Sequence, residues 1–444
     1  MFNKILIANR GEIAVRVIRA CREMGISTVA VYSTADRDGL WVKLADEAVC
    51  IGSAKSSDSY LKIDAVISAA NATGAQAIHP GYGFLSENAE FARACADHDI
   101  VFIGPYPEVL SKMGDKNVAK ITMKNAGVPV VPGGELVENI EQGLKEAKEI
   151  GFPLLIKARS GGGGRGIRIV TAESDFEKEF MSAQAEAVSC FGDDGIYLEK
   201  YLTDVKHIEM QILGDSHGHV VCLGERDCSM QRRKQKLVEE APANIPNDLR
   251  QQMIDASVKA GKAVKYIGAG TVEFLVTRDN KFYFMEMNTR LQVEHPVTEM
   301  ITGIDLVKWQ IRVAAGKRLG FTQDDIKLTG HCIECRINNE NLRAAMVGGK
   351  NQITALNIPN GPWVRFDSAI YHGYTIPTFY DSMIGKLIVW AKDREEAIRK
   401  MKAALCELVI EGVAENTELQ HELLDVKEFV DTTYTTTTVE EFLK

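Results

Sequence analysis

The sequence predicts an α/β protein that opens with a doubly wound parallel sheet and finishes with a mainly antiparallel one. Three observations carry this. Over the first hundred residues, short apolar runs alternate with stretches of helical periodicity. A run of glycines lies between two strand-like segments near residue 160. Beyond about residue 204, apolar and polar residues alternate as they do when only one sheet face is buried.

Taken in order, Ile5–Ala8 reads as a buried strand, Glu12–Met24 as a helix and Thr28–Val31 as the next strand. A further helix and strand end at Gln76–His79, and Ile100–Ile103 closes the series. Residues 1–104 are thus expected to form a Rossmann-like unit. The turn Asn9-Arg-Gly-Glu12 lacks GxGxxG spacing, so no dinucleotide site is expected there. Residues 105–131 read as a helical linker running into Pro132-Gly-Gly134. Residues 132–203 form the next unit: helix, strand (153–157), glycine loop, strand (167–170), helix, strand (195–199). Residues 204–444 form the last, with strands at Val272–Leu275 and Phe282–Met287. The threonine-rich stretch 432–438 reads as a weakly ordered approach to a final short helix.

The 444 residues are 45% hydrophobic and 25% charged, with a formal charge of −9. That balance argues against a nucleic-acid or anionic-membrane partner held by bulk electrostatics, so phosphate binding calls for a local basic pocket. Nine scattered cysteines fit a reducing compartment. Cys332 and Cys335 form a lone CxxC within a strand-like segment, which favours a structural role. Asn3 and Lys4 interrupt any signal-peptide core, and no apolar run approaches the ~20 residues that span a bilayer. A cytoplasmic protein is expected.

Ser160-Gly-Gly-Gly-Gly-Arg-Gly166 leaves backbone amides free to wrap phosphate oxygens, with Lys157 just upstream. No Gly-Lys-Ser/Thr follows, so it is not a Walker A loop; the plain alternative is a flexible hairpin turn. A phosphate lid that closes over nucleotide and excludes water is the reading preferred. Glu199-Lys-Tyr-Leu202 ends a strand where backbone and carboxylate can read an adenine edge. Glu273 and Glu286, with Asn288, fall on strands joined by the turn 277–280, a hard-oxygen set suited to Mg²⁺ or Mn²⁺. Arg290-Leu-Gln-Val-Glu294 places a cation, an amide and a carboxylate within five residues, able to hold a small anion and take its proton. Gln231-Arg-Arg-Lys-Gln-Lys236 adds positive charge in a loop position.

These segments, together with His79-Pro-Gly-Tyr-Gly-Phe-Leu-Ser-Glu-Asn88, Glu225–Gln231, Glu286–Pro296 and Tyr380-Asp-Ser-Met-Ile-Gly-Lys386, resemble the biotin carboxylase branch of the ATP-grasp ligases, in order, from residue 1 to about 412. The resemblance implies an ATP-grasp fold with a mobile lid. It implies ATP contacts from Lys116, Lys157, Gly161, Gly162, Gly163, Gly164, Gly166, Glu199, Lys200, Leu202, His207, Gln231 and Lys234. Divalent metal would be held by Glu273, Glu286 and Asn288. Bicarbonate would lie among Lys236, Arg290, Gln292 and the Val293 backbone, with Glu294 as general base. Arg336 would stabilise the enolate-like biotin, with Tyr82 beside the biotin pocket. The implied partners are a biotin carboxyl carrier protein, carboxyltransferase subunits and a second copy of the chain. No Ala-Met-Lys-Met is present, so the biotin is expected on a separate protein.

Three departures stand out. Lys234 takes a position where the family usually has histidine. The stretch 339–350 has no proline where the family has a Phe-x-Pro-Ser-Pro-Gly turn, which predicts a looser or differently shaped loop. The threonine-rich end is the third. Competing readings are another ATP-grasp carboxylate-amine ligase and a nucleotide-binding homologue without catalysis. The final acceptor, whether acetyl-CoA by default, another acyl-CoA or pyruvate, belongs to the transferase.

Overall fold

The computed structural model describes every residue except 138, 159–166, 192–194 and 341–350. The glycine loop and most of the proline-free stretch therefore lie outside the described residues. Nineteen strands are described: β1 (Lys4–Ile7), β2 (Ser27–Ser33), β3 (Glu47–Gly52), β4 (Ala77–His79), β5 (Val101–Phe102), β6 (Gly133–Val137), β7 (Leu154–Ala158), β8 (Ile167–Val170), β9 (Ile196–Lys200), β10 (Lys206–Gly214), β11 (Val220–Arg232), β12 (Gln235–Ala241), β13 (Gly268–Val276), β14 (Phe282–Asn288), β15 (His331–Asn338), β16 (Ala355–Asn357), β17 (Val364–Ser368), β18 (Met383–Ala391) and β19 (Val409–Glu411). They divide between two compact units.

The larger unit comprises Met1–Val128, Lys206–Phe274 and Glu286–Lys444. Its first sheet is parallel in the order β3-β2-β1-β4-β5. This is the doubly wound arrangement the alternating pattern predicts. β3 escapes sequence reading for a physical reason: it is an edge strand with only Ile51 fully buried, so it carries no apolar run. The helix Gly11–Glu23 buries Ile13, Ala14, Val17, Ile18 and Cys21 at helical spacing, against the parallel sheet and the helix Leu306–Ala314. Asn88 caps the helix Ala89–Asp97 by accepting from the Phe91 amide, a cap worth about 1 kcal/mol.

The second sheet of this unit runs β13-β10-β11-β12-β15-β18-β17, with Glu286–Asn288 of β14 beside β13, and is antiparallel from β10 onward through β17. Cys332 and Cys335 are buried in β15, and their odd separation sends them to opposite faces, one into each of two apolar clusters. The alternation thus explains both cysteines as packing residues.

The threonine-rich end corrects its expectation of weak order. Tyr434 is 1% exposed, stacks on Phe429 and donates its hydroxyl to Glu240 at 2.5 Å. Thr438 accepts from the Thr435 amide and starts the short helix Thr438–Phe442.

The smaller unit comprises Pro129–Val205 and Leu275–Met285. Its sheet is ordered β6-β9-β7-β8 and is covered by the helices Ile140–Ile150 and Glu173–Phe191, with Phe176, Phe180, Leu154, Ile156 and Leu198 in the core. Pro132-Gly-Gly134, where the expected linker ends, leads straight into strand β6, which begins at Gly133. Gly133 and Gly134 hold φ of +93° and +98°, which hides the strand from pattern reading.

Candidate active site

Strand alternation builds the site. His207 and Glu209 lie two apart on β10 and share a face, and the β10–β11 register sets Glu209 directly opposite Arg226. Arg226 is fully buried. Its Nε donates to Glu209 at 2.5 Å and one terminal nitrogen to Gln211 and Thr298, each at 2.7 Å. Lys236, near the start of β12, reaches Glu209 at 2.7 Å, Glu294 at 2.5 Å and Glu273 at 3.7 Å. Arg336 on β15 bonds Glu239 at 2.6 Å and the other Glu294 oxygen at 2.9 Å. Glu294 is therefore gripped between two cations from different strands.

The electrostatics follow from burial and these partners. Burial alone pushes Glu294 up, but Lys236, Arg336 and Arg226 more than reverse it and hold the carboxyl well below the usual range. Glu273 behaves alike, with Lys236 and His207 overcoming its desolvation. Burial pushes Glu239 up to about 7 despite Arg336. Burial also raises Glu334 well above an ordinary carboxyl, and neither of its oxygens meets a hydrogen-bond partner among the described residues.

The segment after β14 is pinned by Glu87, next to the Asn88 cap. Its oxygens accept from the Thr289 amide and Arg290 Nε, both at 2.9 Å. Arg290 also donates to Gln292 Oε1 at 2.8 Å and Asn288 Oδ1 at 3.0 Å. Glu273 accepts from Asn288 at 2.5 Å, Gln292 at 2.8 Å and His207 Nε2 at 2.7 Å. The Val293 carbonyl accepts from Lys386 at 2.7 Å, and Lys386 lies 3.2 Å from Glu12. Tyr82 donates to that same Glu12 oxygen. Tyr82 is placed by Gly81, whose φ of +64° favours glycine, while Asn9 donates to the carbonyls of Pro80 and Tyr82.

The structure thus brings the sequence-predicted residues Lys236, Arg290, Gln292, Glu294, Arg336, Glu273, Asn288 and His207 together in one cluster. Tyr82 reaches it by way of Glu12 and Lys386. Gln231 stands opposite Lys236 in the β11–β12 ladder, and Lys234 forms the hairpin tip with φ of +66°. Lys116 opens the helix Lys116–Asn125, capped by Asp115, and its charge opposes in part the rise that burial gives the Glu286 carboxyl. In the smaller unit, Lys157 bonds Glu199 diagonally across β7 and β9, and Lys200 donates to the carbonyls of Gly151 and Phe152, both at 3.0 Å. Leu202 follows β9 half-buried, and the loop glycines lie outside the described residues.

Sequence reading missed Glu87, Glu209, Arg226 and Glu239. For Glu209, Arg226 and Glu239 the signal was charge inside strand-forming sequence, which reads as a solvated face until its neighbours are known, whereas Glu87 sits in the turn before the helix Ala89–Asp97 and looks like any turn carboxylate. For a divalent cation, Glu286 is pushed up by burial and then by the negative charge of Glu273, a repulsion that a cation between them would relieve. These carboxylates therefore fit a hard-oxygen site. The Asn288 amide turns its nitrogen to Glu273 and its oxygen to Arg290. Among the described residues, His207, Glu209 and Glu273 also bring possible ligand atoms within 4.8 Å of one another.

A family model described as carbamoyl-phosphate synthase L chain, ATP binding domain, matches residues 115–322, the stretch that carries most of this cluster. That defines the class: an ATP-binding ligase core of the ATP-grasp type. Models for the biotin carboxylase N-terminal and C-terminal domains match residues 1–110 and 334–441. A biotin carboxylase from Nostoc is 55% identical over 445 residues, covering 100% of both chains. The crystal structure of a Campylobacter jejuni biotin carboxylase with a β,γ-ATP ligand superposes with TM-score 0.91 at 50% identity, covering 99% of both chains. The biotin carboxylase domain dimer of Hydrogenobacter thermophilus 2-oxoglutarate carboxylase, with MgADP, ADP and bicarbonate, gives TM-score 0.89 at 49% identity, covering 99% of this chain and 98% of that one. The chain belongs to the biotin carboxylase family of ATP-dependent ligases.

Proposed function

We propose that this protein uses ATP to activate bicarbonate and transfers the carboxyl group to biotin borne on a carrier protein, with Glu294 as the base. The observation that carries this is the grip on Glu294: a fully buried carboxylate between Lys236 and Arg336, with Arg290 and Gln292 alongside. Glu294 removes the bicarbonate proton, and the bicarbonate oxygen attacks the γ-phosphorus as ADP leaves. The carboxyphosphate so formed breaks into CO₂ and phosphate. Phosphate takes the biotin ureido proton, Arg336 stabilises the resulting anion, and that nitrogen attacks CO₂.

The electrostatics support an ordered sequence. With both cations on Glu294, its carboxylate is a weak base. An anion entering beside Lys236 and Arg290 competes for Lys236, which raises the basicity of Glu294 when there is a proton to take. In this reading ATP is held by Lys116, Lys157, the glycine loop, Glu199, Lys200, Leu202, His207, Gln231 and Lys234. Mg²⁺, or Mn²⁺ in its place, is held by Glu273 and Glu286 with Asn288. Bound there, the ion would neutralise phosphate charge.

The bicarbonate and MgADP of the Hydrogenobacter domain support the substrate assignment, and its dimer supports pairing of two copies here. No described helix is long and apolar enough to cross a membrane, and the eight cysteines described are free, which suits the cytoplasmic reading. We assign the acetyl-CoA carboxylase half-reaction by default, with carboxyltransferase subunits as the later partner; the 2-oxoglutarate enzyme marks the alternative acceptor class. Phosphate release from ATP, measured with Mg²⁺, with and without bicarbonate and free biotin, tests the reaction. Dependence on both supports it; turnover indifferent to biotin points to another ligase substrate.

A further inference from the structure

The β12–β15 ladder stops short of the site. Its register runs from Ala241↔Cys332 to Val238↔Cys335 and goes no further. Beyond that pair, β12 continues to Lys236 paired only with β11, while β15 continues through Arg336 to Asn338 paired only with β18. The two strands that carry the cations on Glu294 thus separate where those cations stand.

One side chain bridges the gap. Gln420, on the helix Thr417–Leu423, is fully buried, and its Nε2 donates to the Leu237 carbonyl at 3.0 Å and the Arg336 carbonyl at 2.7 Å. A primary amide nitrogen carries two hydrogens, one for each strand. Asn416 adds a second tie: its Nδ2 donates to the Arg336 carbonyl at 3.1 Å, and its Oδ1 accepts from the Asn338 amide at 2.8 Å. Leu419 and Leu423 anchor the helix in the apolar cluster on that side.

We propose that Gln420, assisted by Asn416, is a positioning residue that sets the spacing of Lys236 and Arg336 and so the grip of both cations on Glu294. The inference rests on the functional reading above. Neither amide touches the reacting groups; both act through backbone carbonyls next to or within the cation-bearing residues. Leu237 follows Lys236 directly, so a shift at its carbonyl moves the Lys236 ammonium relative to the Arg336 guanidinium. Misplacement of catalytic groups by ~1 Å costs about 100-fold in rate.

The test uses the whole protein, wild type beside Gln420→Met, which keeps size but has no donor. Initial rates are measured with ATP, bicarbonate and free biotin varied in turn between pH 6 and pH 8. We expect kcat/KM for bicarbonate to fall about 10- to 100-fold while KM for ATP stays within about twofold. We also expect the variant-to-wild-type ratio to fall further as pH is lowered, because a loosened grip lets Glu294 take up a proton more readily. Taking the ratio removes bicarbonate speciation from the comparison. Should Gln420→Met fail to fold, Asn416→Asp decides by the same readouts, since it keeps the acceptor for Asn338 and loses the donor to Arg336. Wild-type bicarbonate kinetics in the folded variant overturn the proposal, as does a loss that is uniform with pH and shared by KM for ATP. A wild type with no bicarbonate-dependent turnover would sink the functional reading itself, a different and recognisable outcome.

Discussion

Losing the base and losing a cation should have opposite signatures in this site. Four buried carboxyls, Glu209, Glu239, Glu273 and Glu294, face three strong cations, Arg226, Lys236 and Arg336. The cluster holds more acid than base. In Glu294→Gln one cation meets an amide nitrogen, losing a charge-assisted bond worth about 1.5–3 kcal/mol. Removing the Glu294 charge also lowers Glu209 and Glu239, whose carboxyls it raises, and they take up the slack on Lys236 and Arg336. The stability change should therefore be small. Turnover should fall about 10²- to 10⁴-fold, the usual worth of a positioned base, which at about 1.36 kcal/mol per tenfold is roughly 2.7–5.4 kcal/mol of barrier.

Lys236→Met does the reverse. It strands Glu209, Glu273 and Glu294 with one cation fewer, and unpairing a buried charge costs about 3–5 kcal/mol. Those carboxyls then have folded pKa values above their present ones. The deficit is therefore largest at neutral pH and narrows as pH falls through the carboxylate range and they take up protons. Urea unfolding of both variants at neutral pH and near pH 5, beside phosphate-release rates, reads both effects. If Glu294→Gln destabilises as much as Lys236→Met, the acid-excess argument is wrong; if it keeps turnover within about tenfold of wild type, Glu294 is not the base.

Three further outcomes follow from particular contacts. Glu286→Gln should weaken the apparent Mg²⁺ affinity at least about tenfold in a metal titration of ATP hydrolysis, and an unchanged titration would remove Glu286 from the metal set. Tyr434→Phe deprives Glu240 of one donor while His331 and Arg394 remain, and should cost about 1.5–3 kcal/mol. Glu240 is held at about 2, chiefly by His331 and Arg394 against its burial, so its stabilising share is whole above the ordinary carboxylate range and is lost as pH falls toward 2. The Tyr434 variant should accordingly unfold in acid at a higher pH. Alkylation of the native protein, mapped by mass spectrometry, should label Cys50 and Cys406 and spare Cys21, Cys95, Cys222, Cys228, Cys332 and Cys335, since burial pushes the Cys21, Cys95 and Cys222 thiols up to about 12; labelling at Cys332 would contradict the burial of β15.

What the sequence reveals of this protein depends on whether the signal is local. The parallel sheet is legible because each strand announces itself in a few apolar residues, and β3, with one buried side chain, does not. Glu273 and Glu286 are legible because the hairpin that pairs them closes over the short turn 277–280, so strand neighbours are also chain neighbours. Glu209 and Arg226 are 17 residues apart, yet their opposition depends on the register of β10 with β11, which a bulge at Met210–Ile212 shifts. The longest reach defeats reading altogether. Threonines 432–438 look featureless because nothing near them names Glu240, 194 residues from Tyr434. Gln420 lies 183 residues from Leu237 and looks like any polar helix residue. Both residues work on the backs of strands whose fronts carry the chemistry. Side chains that touch substrate must have particular chemistry and so leave motifs, whereas side chains that hold those strands need only reach a carbonyl or a carboxylate. The supporting half of an active site is therefore the half that folding has to reveal.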